Sequence, residues 1–289
     1  MKANRLQQLM PRAGLPARGF TLVEIALSVA IIGFALVAII GVLPAGLNVQ
    51  KENREETIIV HDANYFLEAM RGGARGLDDL TNYVESITNV VTRYDENTNV
   101  MAGFPIVFGY TYTQTSVGNG QGNPADVITN GARIIGLLST PKYRSLTNPP
   151  PPGPSAFDSN YVVAYVRALS GPAAEKAPQT NAVVRDFGFR YRLLSEVVPY
   201  RNWATNWVDY RVTDLSTNEI VARSNYWQTA RMLENNMHEV RLLFRWPVKA
   251  NGEAGKQRQV FRALFGGTLT NEPGTPRWFV QPGIYSTPM

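Results

Sequence analysis

Residues 18–24 read Arg18-Gly19-Phe20-Thr21-Leu22-Val23-Glu24, and residues 25–47 read IALSVAIIGFALVAIIGVLPAGL. The second stretch holds 23 residues and no charge. A helix of about 20 apolar residues crosses a bilayer, so this one is long enough. Upstream, residues 1–19 carry Lys2, Arg5, Arg12 and Arg18 and no acid. By the positive-inside rule that flank stays cytoplasmic and everything after the span lies outside. Three readings compete for the segment. A secretory signal has an apolar core of roughly 7–15 residues followed by a small-residue cleavage site. This run is longer, and no A-x-A site follows it. A plain signal anchor accounts for the length but not for Glu24. A carboxylate costs roughly 2.5–3.5 kcal/mol near the centre of a membrane helix, and less toward its edge, so it calls for a partner.

The third reading supplies that partner. A basic leader, a Gly-Phe junction, a glutamate five positions after the glycine and an uninterrupted apolar run resemble the cleavage and methylation motif of type IV prepilins and type II secretion pseudopilins. Ile31-Ile32-Gly33 follows the same pattern. The resemblance implies that a prepilin peptidase cuts after Gly19 on the cytoplasmic side and that the new N-terminus, Phe20, is N-methylated. It also implies that Glu24 pairs with the terminal amine of a neighbouring subunit during assembly. That role is physically reasonable, because a carboxylate in the first turn sits at the positive end of the helix dipole. Buried charges persist when paired. One departure stands out: many pilins place a proline where this chain has Gly41, and here the proline is Pro44. The stretch from Gly19 to Leu47 also resembles prepilin-like cassette proteins of Verrucomicrobia. The specific resemblance covers residues 1 to about 70; beyond that it is architectural.

Charge is segregated along the 289 residues. The leader is +4, residues 48–130 hold 5 bases and 11 acids, and residues 131–289 hold 19 bases and 11 acids. The formal charge of +5 is therefore mostly leader, and it says little about nucleic acid. With no cysteine there is no disulfide framework, thiolate metal site or thiol nucleophile.

Outward from the apolar run, Ile58/Ile59, Tyr65/Phe66 and Ala69/Met70 recur at helical spacing. Either one helix extends from about Phe20 to Met70, kinked near Pro44, or two helices break at Pro44-Ala45-Gly46. Arg71-Gly72-Gly73 is a stop signal. A short helix is expected around Leu77–Val91. Residues 115–131 and 147–160 are rich in Gly, Asn and Pro and are expected to be loops, and Gly171–Pro178 is a connector. Strands are expected at Tyr161–Leu169, Phe187–Leu193, Val240–Trp246 and Gln259–Leu269, the last two forming a hairpin around residues 250–255. Their alternation of apolar and arginine residues suits an antiparallel sheet with one wet face. The fold class that follows is α+β and pilin-like: a leader at 1–19, a membrane or filament-core helix at 20–47, a helical stem at 48–73 and a β-rich head at 74–289.

Chemistry is sparse. His238-Glu239 starts like a zincin helix, but the second histidine is missing, and His61 is distant. Asp95, Asn97 and Asn99 match the first half of a calcium loop, yet Val100 and Ile106 stand where Gly and Glu belong. Asp95 and Asp126 remain open as ligands, since some pseudopilins hold calcium in a head loop. Gly118, Gly120 and Gly122 lack the strand–helix context of a dinucleotide site. No residue is assigned a catalytic or metal role, no cofactor is expected and an enzyme is not the reading. Between Tyr191 and Arg231, arginines interleave with Tyr200, Trp203, Trp207, Tyr210, Tyr226 and Trp227, a composition that binds nucleic acid in some proteins. It equally describes arginines on a wet sheet face over an aromatic core, and that is the reading preferred. The expected function is a structural subunit of a type IV pilus-like or type II secretion pseudopilus-like filament. Its partners would be the prepilin peptidase, other pilin or pseudopilin subunits, an inner-membrane assembly platform and the bilayer. The alternative is a membrane-anchored module that recognises DNA or an exported substrate. The expected location is the inner membrane, single-pass, with the head periplasmic or extracellular. An acidic stem facing the basic head of the next subunit would give salt-sensitive stacking.

Overall fold

A computed structural model of the chain describes residues 19–73, 78–94, 106–113, 127–145, 157–170, 188–200, 216–249, 251–271, 278–283 and 285–287. The chain divides into two compact units, residues 1–54 and 55–289. Of the first unit, residues 19–54 are described, and all of them are exposed. They include most of the apolar half of helix α1 (Leu22–Gly72), which carries Pro44 inside it. Of the two readings left open, the single helix is the one observed. It ends at the expected stop, where Gly73 takes a positive φ of 72° that a side chain would disfavour.

The second unit begins within α1, so the stem expected at 48–73 joins the core of the head only from Glu55 onward. Ile59, Ala63, Phe66 and Met70 are buried at spacings of 4, 3 and 4, one face of a helix. They meet helix α2 (Gly131–Leu138) and one face of a seven-stranded antiparallel sheet in a single hydrophobic cluster. Each large apolar side chain taken out of water there contributes about 1.5–3 kcal/mol.

The sheet runs β2-β1-β4-β5-β6-β7, with β3 beside the first half of β4. The strands are β1 (Val84–Tyr94), β2 (Ile106–Thr113), β3 (Tyr143–Ser145), β4 (Phe157–Arg167), β5 (Arg190–Pro199), β6 (Met237–Val248) and β7 (Ala254–Gly266). Helix α3 (Thr217–Asn236) leads into β6, and a separate pair, β8 (Thr268–Asn271) and β9 (Trp278–Gln281), follows β7. In β5 and β6 the inward residues are Tyr191, Leu193 and Val197, and Val240, Leu242 and Phe244. The outward ones are Arg190, Arg192 and Leu194, and Arg241, Leu243 and Arg245, as the alternation predicts.

Several expectations are corrected. The helix expected at Leu77–Val91 is a short 3-10 turn (Asp78–Asn82) followed by β1. Its buried residues Val84, Ile87 and Val91 are spaced 3 and 4 apart, which imitates a helix. The cause is a register shift between Val84 and Ser86, which moves the inward phase by one residue. Phe157–Asn160, expected at the end of a loop, opens β4. At the end of the 115–131 loop, Val127 bridges Thr113, Asn130 caps α2 and Gly131 begins it. The strand expected at Phe187–Leu193 starts at Arg190 and continues to Pro199. The strand expected at Gln259–Leu269 is two strands, because Gly267 turns the chain with φ 135°.

Asp62 joins helix and sheet. It is buried on α1, and its carboxylate accepts the Leu169 and Ser170 N–H groups at 2.9 and 3.1 Å and the Ser170 hydroxyl at 2.8 Å. The Tyr191 phenol donates to the same carboxylate at 2.9 Å. Burial pushes the Asp62 carboxyl above its ordinary value, and these four donors pull it back. Burial and then the Asp62 charge push the Tyr191 phenol well upward. At the other end of the core the Ser195 hydroxyl donates to the Leu138 carbonyl at 2.6 Å, fastening the end of α2 to β5.

Candidate functional site

The residues singled out by the sequence motif come together at the start of α1. Thr21 precedes the first helical residue and Glu24 is the third helical position. Glu24 Oε2 accepts the Thr21 N–H and the Thr21 hydroxyl, both at 3.1 Å, and the Glu24 N–H donates to Thr21 Oγ1 at 3.3 Å. This is a capping box, which satisfies donors that a helix start otherwise leaves unpaired. The Ile25 N–H donates to the Thr21 carbonyl at 3.1 Å and opens the helical ladder. One turn on, the Ser28 hydroxyl donates to the Glu24 carbonyl at 2.7 Å. The carboxylate therefore stands at the positive end of the helix dipole. Among the described residues its Oε1 takes no hydrogen bond, which leaves one oxygen to accept from outside.

The two residues before the cap are free of packing constraint. Phe20 is 83% exposed. A Cβ placed on Gly19 meets nothing within 4 Å. Among the described residues nothing requires glycine at position 19.

Behind the cap, the wall of α1 is apolar on every side and uncovered: Ile31, Phe34, Val37, Ile40 and Leu43 are all exposed. By length and composition this helix can cross a membrane. An unbroken apolar surface of that size in water marks a place for lipid or for other helices. The capping box was not recognised in the sequence, although Thr21 followed by Glu24 carries the T-x-x-E pattern that signals one.

The other residues considered do not gather into a site. His238 and Glu239 lie on opposite faces of β6: His238 is buried, while Glu239 pairs outward with Arg241 at 2.9 and 2.7 Å. Burial lowers the His238 imidazole below its usual value, against a raising hydrogen bond to the Gly267 backbone. His61 is exposed on α1. Among the described residues no three His, Asp or Glu side chains are placed to hold a metal ion. Asp95, Asn97, Asn99, Asp126, Gly118, Gly120 and Gly122 lie outside the described residues. Of the aromatics between Tyr191 and Arg231, Tyr191 is core and Tyr200 is exposed on β5's end. Trp203, Trp207 and Tyr210, and the side chains of Tyr226 and Trp227, are outside the described set. No family model, curated protein or solved structure matches the chain.

Proposed function

We propose that the chain is a structural subunit of a type IV pilus-like or type II secretion pseudopilus-like filament, cut after Gly19 by a prepilin peptidase and methylated at Phe20. The apolar half of α1 spans the inner membrane before assembly and enters the filament core afterwards, with the head on the far side. In the core, Glu24 receives the terminal amine of a neighbouring subunit. The observation that carries this reading is the placement of Glu24: one carboxylate in the first turn of α1, followed by a stretch through Leu47 that is uncharged and wholly exposed, with one oxygen held by Thr21 and the other taking no hydrogen bond from the described residues. In a low-dielectric core such a group stays charged only opposite a cation.

Co-expression with a prepilin peptidase tests it. The expected product is 19 residues shorter, begins at Phe20 and carries one added methyl group. Gly19→Ala should stay full length, and since nothing crowds that position the variant's fold is unchanged. A wild-type protein that remains uncut beside an active peptidase overturns the proposal.

A further inference from the structure

The register of the sheet places three arginines side by side on its outer face. Arg192 on β5 is directly opposite Arg245 on β6, and Arg245 is directly opposite Arg258 on β7. Neighbouring strands are about 4.8 Å apart, so the row spans about 10 Å. Like charges directly opposite one another destabilise a sheet. Three other arginines of this face are relieved: Arg167 and Arg190 reach Glu85 at 3.3 and 3.7 Å, and Arg241 pairs with Glu239. Glu196 is taken by Lys142 at 2.7 Å. Among the described residues no carboxylate pairs with the Arg192–Arg245–Arg258 row. The Nε of Arg245 is shielded from water and has no hydrogen-bond partner among the described residues, so only the outer nitrogens of that guanidinium face a ligand.

The surroundings identify the acceptor. Tyr165 on β4 continues the same row, opposite Arg192. The next outward row is apolar, Val163–Leu194–Leu243–Val260. Beyond it Arg241 stands opposite Arg262, with Tyr161 on the same face of β4 and 43% exposed. A cleft of about 510 Å³ adjoins that end, lined by Lys142, Tyr143, Tyr200 and Arg241 among others. Cations in a row, an apolar strip and tyrosine rings on one face of an antiparallel sheet meet both needs of an unpaired nucleic-acid strand, phosphate neutralisation and base stacking. Duplex DNA is a poorer match, since its bases are stacked on one another and leave no free face for the tyrosine rings. We infer that the outer face of β4–β7 binds single-stranded nucleic acid, with Arg192, Arg245 and Arg258 holding backbone phosphates and Tyr165 and Tyr161 stacking on bases. The inference is independent of the filament reading.

The test uses the full-length protein in detergent and a fluorescein-labelled oligothymidine of about 20 nucleotides, followed by anisotropy from about 50 to 200 mM salt. Wild-type protein should bind with a steep negative salt slope. Neutralising the row in Arg192→Gln/Arg245→Gln/Arg258→Gln should reduce that slope by about 2, at roughly 0.7 per phosphate contact on a single strand. Arg258 is exposed, so Arg258→Gln alone preserves the fold and should reduce the slope by about 0.7. Tyr165→Ala should weaken binding roughly tenfold, and an abasic strand of equal length should bind more weakly still. Absence of binding at low salt, an Arg258→Gln slope equal to wild type, or equal affinity for the abasic strand or for polygalacturonate would each overturn the inference.

Discussion

The Tyr191 hydroxyl donates a 2.9 Å hydrogen bond to the Asp62 carboxylate, tying the middle of the sheet to the second half of α1. Both residues are almost wholly buried. The same carboxylate receives three further donors from Leu169 and Ser170, just past the end of β4. Removing it strands the buried Tyr191 hydroxyl and unpairs the half-buried Leu169 and Ser170 donors, and each unsatisfied buried group costs about 1–3 kcal/mol. Asp62→Ala should therefore destabilise the head by several kcal/mol, on the order of 3–5. Tyr191→Phe removes one donor and leaves the carboxylate its other three, so its cost should be near 1–2 kcal/mol. Chemical denaturation of the two variants checks the order. Equal losses would show that the Tyr191 hydroxyl carries all that Asp62 contributes and that the Leu169 and Ser170 donors add nothing.

His238 makes the head sensitive to mild acid. Burial holds its imidazole below the ordinary histidine value in the folded state. The unfolded chain therefore takes up the proton first as pH falls. The stability tied to the neutral ring is complete above the unfolded value of about 6.5 and is lost as pH drops from there toward the folded value. His238→Gln cannot titrate, so its stability should change less between pH 7 and pH 5 than the wild type's. Unfolding midpoints at the two pH values decide the matter: parallel shifts in both proteins would assign the acid sensitivity to other groups.

At Gly267 the chain leaves the large sheet for the β8–β9 pair with φ 135°, a region closed to other residues. A Cβ there would collide with the Gln281 carbonyl oxygen. Gly267→Ala should thus cost more than about 1 kcal/mol, through both strain and displacement of β9. Gly252→Ala is the control: its φ is also positive, but no atom lies within 4 Å, so only strain is added. A milder effect at Gly267 than at Gly252 in the same unfolding assay would contradict the collision.

Which of these features are visible in the sequence follows from how local their causes are. The apolar run, the Gly73 stop and the alternation in β5 and β6 depend on near neighbours, so period and turn chemistry reveal them. β1 is hidden, because its register shift gives the buried residues helical spacing. α2 is hidden for a different reason: GARIIGLL is buried almost all round and shows no polar face to set its period. α3 is not among the expected elements: its polar composition gives no period, although Ser216 and Glu219, which form a second capping box, mark its start. The arginines of the outer face are plain in the sequence, but that Arg192, Arg245 and Arg258 form one row requires the strand register, which pairs residues 53 and 13 positions apart. Asp62 reads as one more polar residue of an amphipathic helix until the end of β4 is folded against it.

Glu24 has two roles that substitution can separate. Within the chain its carboxylate completes the capping box with Thr21; in the proposed filament its charge meets a neighbour's amine. Glutamine also completes a capping box, so Glu24→Gln keeps the helix start and removes only the charge. Alanine removes both. Thr21→Val removes the hydroxyl that Glu24 binds and leaves the charge in place. If charge governs assembly, Glu24→Gln and Glu24→Ala should assemble equally poorly. The loss should be at least about tenfold, from the roughly 1.5–3 kcal/mol of a charge-assisted hydrogen bond. Thr21→Val should still assemble. Amide exchange in the first turn of α1 should order the variants differently: Glu24→Gln close to wild type, and Thr21→Val and Glu24→Ala faster, by about 0.5–2 kcal/mol of lost capping. Assembly yield that tracks exchange rate across the three variants, rather than charge, would make Glu24 a helix cap and nothing more.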